Sequence, residues 1–240
     1  MPDSYENRTI LFQESVSKAI QIPYSIFICI FAIQLFQMTF YSAPFWLRAF
    51  YPKGLIWRMP TGAREVFLTF DDGPVPEATP IVVEILKKYN IKATFFCVGE
   101  NVQKYPEIFN SLRNEGHAIG NHTFHHVKAW KTDFKSYISE VAQCQELVNS
   151  KHFRPPHGQI TRKLARNLRK DYRIIMWSAL TGDYDRNLSV DQCLANAINN
   201  TKPGAIIVFH DSIKALERMK YALPRYIEHC IAEGYSFRTL

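Results

Sequence analysis

Four short segments contain the residue types from which a metal-assisted hydrolytic site is built. They are residues 69–74 (TFDDGP), 122–126 (HTFHH), 153–158 (FRPPHG) and 208–211 (VFHD). Carboxylates, imidazoles and an arginine are the groups that bind cations and transfer protons. Taken alone, each segment also has an ordinary structural explanation: a surface turn for the first, exposed or core histidines for the second, a stiff connecting loop for the third and a core histidine for the fourth. The prediction of a site therefore depends on their combination.

Asp71 and Asp72 are adjacent carboxylates at the end of an apolar run. Two such charges repel one another unless a cation or an arginine separates them. Neighbouring strand residues point to opposite faces, so both can face one site only if the chain turns there. The Gly73-Pro74 pair that follows favours such a turn.

His122 and His126 are four residues apart. On a helical turn this spacing places both rings on one face, where they could bind one ion. With Asp72 they would form a three-ligand site for zinc, cobalt or another divalent transition metal, and leave a position for water. His125 lies between them and is predicted to pack beside the ligands without binding the metal.

The two remaining segments supply groups for charge and proton transfer. Two prolines stiffen residues 153–158, and Gly158 permits a conformation that aims a backbone N–H outward. Arg154 could pair with an ionised carboxylate and hold it in that form. His210, at the end of a buried run, can act as an acid near neutral pH.

Elements that would position these groups are visible as short apolar runs separated by amphipathic stretches. Strands are predicted over residues 66–70, 93–98, 174–180 and 205–209, and helices over 81–90, 101–116, 134–150, 161–170, 190–200 and 221–233. Thr79 is expected to cap the first helix and Pro80 to open it. This alternation predicts an α/β fold. Polar clusters at the strand ends favour a barrel, although a doubly wound sheet obeys a similar rule.

The composition excludes some classes of protein. The net charge of +7 is compatible with an anionic polymer, a membrane surface or a solvated basic face, and without a run of five basic residues no nucleic-acid partner is expected. Five scattered cysteines without a CxxC pair predict neither a cysteine zinc site nor a disulfide framework, and favour a reducing compartment.

The amino-terminal residues 1–54 are predicted to be a lead-in to a catalytic domain over residues 55–240. An uncharged stretch between Lys18 and Arg48 makes residues 20–47 a candidate membrane span. The positive charges that follow it would leave the domain in the cytoplasm. The alternative is that translation starts at Met38, so both a cytoplasmic and a membrane-anchored protein fit the sequence.

Taken in order, the segments resemble the polysaccharide deacetylase family, also described as the NodB homology domain or carbohydrate esterase family four. The segments that carry the resemblance are TFDDG (69–73), HTFHH (122–126), RPPHG (154–158), LTGDY (180–184) and VFH (208–210). The resemblance implies a distorted (β/α) barrel with fewer than eight strands. It also implies a metal-dependent hydrolase that releases acetate from N-acetylglucosamine-type units of peptidoglycan or a chitin-like glycan.

The resemblance also implies roles for individual residues. Asp72, His122 and His126 correspond to the metal ligands, Asp71 to the general base, Arg154 to its partner, His210 to the general acid and Asp183 to the partner of His210. The backbone N–H of His157 corresponds to the oxyanion donor, Tyr184 to a cleft residue, and Val208 to the residue that lines the acetyl pocket.

Three departures from the family pattern leave the substrate preference open. His157 replaces a common tyrosine, Leu180 replaces the first aspartate of the fourth motif, and Tyr184 replaces its tryptophan. The alternatives to a glycan deacetylase are an amide hydrolase with a non-sugar substrate and an inactive carbohydrate-binding homologue. A regulatory membrane protein is a further alternative if residues 20–47 span a bilayer.

Overall fold

Parallel strands dominate the computed structural model, which describes residues 41–42 and 45–240. The strands in this part of the chain are β1 (Glu65–Asp71), β2 (Thr94–Cys97), β3 (Ala118–Asn121), β4 (His152–Phe153), β5 (Arg173–Ile174), β6 (Ala179–Leu180), β7 (Ala205–His210) and β8 (Ser236–Arg238). Seven of them form a curved wall in the order β5-β4-β3-β2-β1-β7-β6, and β8 pairs with the first half of β1. The expected distorted barrel with fewer than eight strands in its wall is therefore confirmed.

Helices pack on the outside of this wall. Among the described residues they are α1 (Phe45–Phe50), α2 (Thr79–Lys88), α3 (Gly99–Lys104), α4 (Pro106–Asn114), α5 (Phe134–Val148), α6 (Arg162–Leu168), α7 (Val190–Asn199) and α8 (Leu216–Ala232). The helix starts follow from local chemistry: the side chains of Asp133, Thr161 and Ser189 accept hydrogen bonds from the first turns of α5, α6 and α7.

Several predicted boundaries differ from those in the structure. The helix predicted over residues 101–116 is divided into α3 and α4, because Pro106 cannot donate the hydrogen bond that would continue the first of them. The strand predicted over residues 174–180 is divided into β5 and β6. Thr79 does not cap α2: Ala78 holds that position, and the Thr79 hydroxyl bonds to Asp211 instead.

Successive side chains of the central strand β1 point alternately to an outer core beneath the helices and to the barrel interior. Val66, Leu68 and Phe70 of β1 pack into the large cluster beneath the helices. Phe67 belongs to a smaller interior cluster with Phe96, Ile175 and Ile206. Asp71 lies four residues after Phe67 on β1, so both side chains are on the same face of the strand. The carboxylate of Asp71 therefore points into the barrel.

The segment before β1 fills the gap in the wall between β5 and β7. Ile56 forms a parallel bridge with Ile175, and Arg58 forms an antiparallel bridge with Ala205. The hydroxyl of Ser178 donates to the carbonyl of Trp57 over 2.8 Å. These contacts close this part of the wall with backbone bridges and one side-chain hydrogen bond.

The predicted membrane span at residues 20–47 lies mostly outside the described residues. Within the described ranges, no helix has the length and apolarity needed to cross a bilayer. Tyr41 and Ser42 contact the edge strand β6: Ser42 bridges Ala179, and the carbonyl of Tyr41 accepts the N–H of Leu180 over 2.7 Å. Residues 41–240 form one compact unit.

Candidate active site

The Asp71–Asp72 pair lies at the carboxyl end of β1, where the chain turns. Asp71 pairs in register with His210 at the end of β7, so both reach the same rim of the barrel. Asp72 adopts a left-handed conformation with φ of 82°. This conformation redirects the chain immediately after the strand, which confirms the turn expected from the sequence, and both carboxylates line one cavity.

Asp72, His122 and His126 form a group of candidate metal ligands whose donor atoms lie within 4.8 Å of one another. The Nε2 atoms of His126 and His122 lie 3.2 Å and 3.8 Å from Asp72 Oδ1. The predicted helical turn between the histidines is wrong. They lie on a loop after β3, where Thr123 and His126 have φ values of 63° and 55°.

The environment of His122 fits a cation between these groups. Its Nδ1 lies 2.8 Å from the carbonyl oxygen of Arg154, which can only accept, so Nδ1 carries the proton. Burial lowers the pKa of His122 to about 4, despite the neighbouring carboxylates, which keeps the ring neutral. The Nε2 lone pair therefore faces an oxygen of Asp72, and two acceptors in this arrangement are stabilised by a cation between them.

Asp72 is suited to the same role. Burial raises the pKa of its carboxyl, but the hydrogen bond with His126 and the charges of His210, His126 and His122 outweigh that effect and hold the pKa below its usual range. The carboxylate is thus ionised, as metal ligation requires.

Arg154 is fully buried beneath Asp71. Its Nη1 donates to Asp71 Oδ1 over 2.6 Å and to Thr69 Oγ1 over 2.9 Å. Its Nη2 donates to the carbonyl of Met176, and its guanidinium lies 4.0 Å from the ring centroid of Phe96. Burial lowers the pKa of Arg154, but the charge of Asp71 opposes this effect, and the guanidinium is charged at neutral pH.

His210 and Asp183 form a second charged pair across the cavity. Asp183 accepts two hydrogen bonds of 2.7 Å, from His210 Nδ1 and from the His210 backbone N–H. Burial lowers the pKa of His210, but Asp183 raises it, with smaller contributions from Asp72 and Asp71, to about 10. The ring is consequently an imidazolium at neutral pH, and its Nε2–H is the proton it can donate.

The cavity between these groups has a volume of about 510 Å³. Its walls consist of Asp71, Asp72, His122, His126, Pro155, His157, Gly158, Trp177, Leu180, Tyr184, His210, Ser212 and Lys214. Short motifs that lie far apart along the chain are thus brought to one opening at the carboxyl ends of the strands, where parallel α/β folds place their chemistry.

The three predicted cleft residues occupy different positions. His157, with φ of 56°, packs its ring 4.6 Å from that of His126, and burial together with nearby positive charge lowers its pKa to about 4. Tyr184 stands edge-on to His210 at 4.9 Å. Val208 is fully buried on the face of β7 that also carries His210, and it is not among the residues that line the cavity.

Sequence reasoning missed Trp177 as a wall residue. It was hidden in the apolar run at residues 174–180, which reads as a single buried strand. Its ring packs against Gly158, where an added Cβ would lie 2.2 Å from the indole, and it also contacts Trp57 at a centroid distance of 5.8 Å. A large aromatic residue just before a motif at a strand end is the signal that could have identified it.

Comparison with known proteins identifies similar sequences and structures over most of the chain. The polysaccharide deacetylase family model matches residues 58–174. A peptidoglycan-N-acetylglucosamine deacetylase of Bacillus cereus is 36% identical over 189 residues, which is 75% of this chain and 68% of that protein. A chitooligosaccharide deacetylase of Azorhizobium caulinodans is 33% identical over 162 residues, which is 64% of this chain and 77% of that protein. The crystal structure of the Bc1960 peptidoglycan N-acetylglucosamine deacetylase, in complex with 4-naphthalen-1-yl-N-oxidanyl-benzamide, matches with a TM-score of 0.75 and 35% identity, and the match covers 82% of this chain and 94% of that chain.

Proposed function

This chain belongs to the polysaccharide deacetylase family, and we propose that it removes N-acetyl groups from N-acetylglucosamine-type units of a glycan and releases acetate. The glycan is peptidoglycan or a chitin-like oligosaccharide, as named for the relatives. The observation that carries the proposal is that Asp71, His210 and the Asp72–His122–His126 group open onto one cavity.

Asp72, His122 and His126 are the proposed ligands of a divalent cation, with zinc as the metal that this imidazole and carboxylate set suits best. When bound, the cation supplies polarisation of the acetamide carbonyl and a lower pKa for the attacking water. The bond from His122 Nδ1 to the Arg154 carbonyl fixes the orientation of one ligand ring. Arg154 therefore supports the ligand set through its backbone carbonyl, and it supports Asp71 through its guanidinium group.

Asp71 is the proposed general base. Arg154 occupies Asp71 Oδ1, which leaves Oδ2 to accept a proton from water. The water oxygen then forms a bond to the acetyl carbon, and negative charge develops on the acetyl oxygen. The backbone N–H of His157 is the proposed donor to that oxygen, since residues 156–158 form a tight turn at the cavity wall.

His210 is the proposed general acid. Asp183 holds His210 Nδ1, so the opposite ring nitrogen is the one that can reach a substrate in the cavity. As the C–N bond breaks, this nitrogen gives its proton to the departing sugar amine, and acetate is the other product. Trp177, Leu180 and Tyr184 form the apolar side of the same cavity, a suitable surface for a sugar ring and its acetyl methyl group.

The test is acetate release from N-acetylglucosamine oligomers, from peptidoglycan fragments and from a small non-sugar acetamide. Protein beginning at Met38 includes the proposed catalytic domain at residues 55–240 and keeps Tyr41 with its contacts to β6. We expect release from the glycans that stops on chelation and returns with Zn²⁺ or Co²⁺. Full activity with a strong chelator, or release from the non-sugar acetamide alone, would contradict the proposal.

Two neighbouring histidines provide a matched pair of variants. His126→Ala removes a proposed ligand and should abolish the metal-dependent release. His125→Ala removes a half-exposed ring that bonds to Glu140, and it should retain activity. Equal loss in both variants would indicate a general effect on the loop and would contradict the proposed ligand set.

A further inference from the structure

Asp211 is a buried carboxylate to which the mechanism above assigns no role. It follows His210 at the end of β7, and its side chain is shielded from solvent by the turn after β1. Its Oδ1 accepts the N–H of Gly73 over 3.0 Å, and its Oδ2 accepts the hydroxyl of Thr79 over 2.6 Å. Both oxygens are therefore committed to the segment that follows Asp72.

The turn that Asp211 contacts requires support. Asp72 is in the left-handed region, which is unfavourable for a residue with a Cβ and persists only where surrounding contacts hold it. Asn101 donates to the carbonyl of Asp72 over 2.8 Å, and Val98 donates to the carbonyl of Gly73 over 2.9 Å. Asp211 supplies the acceptor for the N–H of Gly73 in the same turn.

The fit between Asp211 and Gly73 leaves no room for a side chain. A Cβ at residue 73 would lie 1.9 Å from Asp211 Oδ2 and 2.7 Å from Oδ1. Glycine at this position thus allows the carboxylate to reach the backbone directly. Close approach of this kind fixes the backbone path of the residue next to Asp72.

Asp211 also links the turn to the strand that carries His210. Its backbone N–H donates to the carbonyl of Asp71 over 3.1 Å. One residue therefore holds the end of β1 by its main chain and the following turn by its side chain. The proposed base, the proposed acid and a proposed metal ligand are all adjacent to these contacts.

We propose that Asp211 is a positioning residue that holds the turn at residues 71–73 in the shape that presents Asp72 to the metal and Asp71 to water. The inference rests on the proposed function, in which Asp72 is a metal ligand. It predicts that loss of the Asp211 carboxylate weakens metal binding, although Asp211 does not itself reach the metal.

The experiment is a Co²⁺ titration of metal-free protein, followed by the visible absorption of the bound ion. Asp211→Asn keeps the shape of the side chain but offers one acceptor oxygen to two donors. We expect it to bind Co²⁺ about 10- to 100-fold more weakly, the range found for residues that orient metal ligands. Thr79→Val removes one of the two donors to Asp211, together with the acceptor of the Val75 N–H, and should weaken binding by a smaller factor.

Thr201→Val is the matched control for stability. It removes a partly buried hydroxyl that bonds to Ala197 and Tyr226, away from the turn. We expect it to lower the urea midpoint while leaving Co²⁺ affinity and absorption as in the unchanged protein. If Asp211→Asn does not fold, the Co²⁺ affinity of Thr79→Val decides the question.

The outcomes separate this inference from the proposed function. Unchanged Co²⁺ affinity in folded Asp211→Asn or Thr79→Val, with lost affinity in His126→Ala, overturns the positioning role alone. Unchanged affinity in His126→Ala overturns the proposed ligand set and this inference with it. Weakened affinity in Asp211→Asn and Thr79→Val, but not in Thr201→Val, is the result that supports the positioning role.

Discussion

Replacement of Asp183 by asparagine tests how the proposed acid is kept protonated. Asp183 is fully buried and lies 2.7 Å from His210 Nδ1, so solvent screens its charge poorly. Burial alone lowers the pKa of His210, but Asp183 is the main cause that raises it to about 10. An opposite charge at this range moves a pKa by about 1–3 pH units, so we expect Asp183→Asn to lower the pKa of His210 by about 2 units, or about 3 kcal/mol.

The direction of the pH dependence follows from the role of the acid. As the proposed acid, His210 must carry its proton, so kcat/KM is expected to fall as the pH rises through the pKa of His210. The alkaline limb of the profile should therefore move about 2 pH units toward neutrality in Asp183→Asn. The pair also stabilises the fold while His210 is charged: this stabilisation is complete below the ordinary His pKa near 6.5 and is lost as the pH rises through about 10.

The assay is the pH profile of acetate release, together with an NMR titration of the His210 ring. Asp185→Asn is the control, because it removes the same charge two residues away, where the carboxylate bonds to Tyr41 and Asn187. It should leave the alkaline limb in place. If Asp183→Asn is slower but its alkaline limb and its His210 titration do not move, Asp183 does not raise the pKa of His210.

Three further predictions concern stability, the cleft wall and the metal. Arg154→Met leaves the buried carboxylate of Asp71 without its partner and should lower the free energy of unfolding in urea by about 3–5 kcal/mol; a loss below about 1 kcal/mol would contradict the buried pair. Gly158→Ala places a Cβ 2.2 Å from Trp177 at a backbone φ of 66°, so the indole must move. Steady-state kinetics should then show a raised KM, and an unchanged KM would exclude Trp177 from the substrate wall. Zinc at 100 times its Kd should stabilise the fold by about 2.7 kcal/mol and raise the Tm by about 5–10 °C in thermal denaturation, an effect that His126→Ala should abolish.

The strand ends were the most predictable part of the fold. Continuous apolar runs identified β1 and β7 within one residue, because strands buried on both faces carry no polar alternation. The placement of Asp71 and His210 at the same rim followed from those two predictions. The division of residues 174–180 into β5 and β6 was not predictable, since periodicity does not reveal where an apolar run leaves the sheet.

The conformation of the loops was the least predictable part of the site. The residues His122 and His126 were identified, but their spacing was attributed to a helical turn. The structure uses left-handed backbone at Thr123 and His126. A β-branched threonine argues against that conformation in a sequence, and the modest enrichment of histidine in it does not identify a single position. The support from Asp211 was missed for a similar reason, because its partners Gly73 and Thr79 are more than 130 residues away along the chain.

The roles proposed for the two aspartates are tested by measuring zinc content and acetate release side by side in Asp71→Asn and Asp72→Asn. Asp171→Asn, at an exposed position, is the control for the change of charge. We expect Asp71→Asn to retain zinc and lose turnover, whereas Asp72→Asn should lose zinc and turnover together. Zinc lost from Asp71→Asn but kept in Asp72→Asn would show that the metal ligand and the base are assigned to the wrong aspartates.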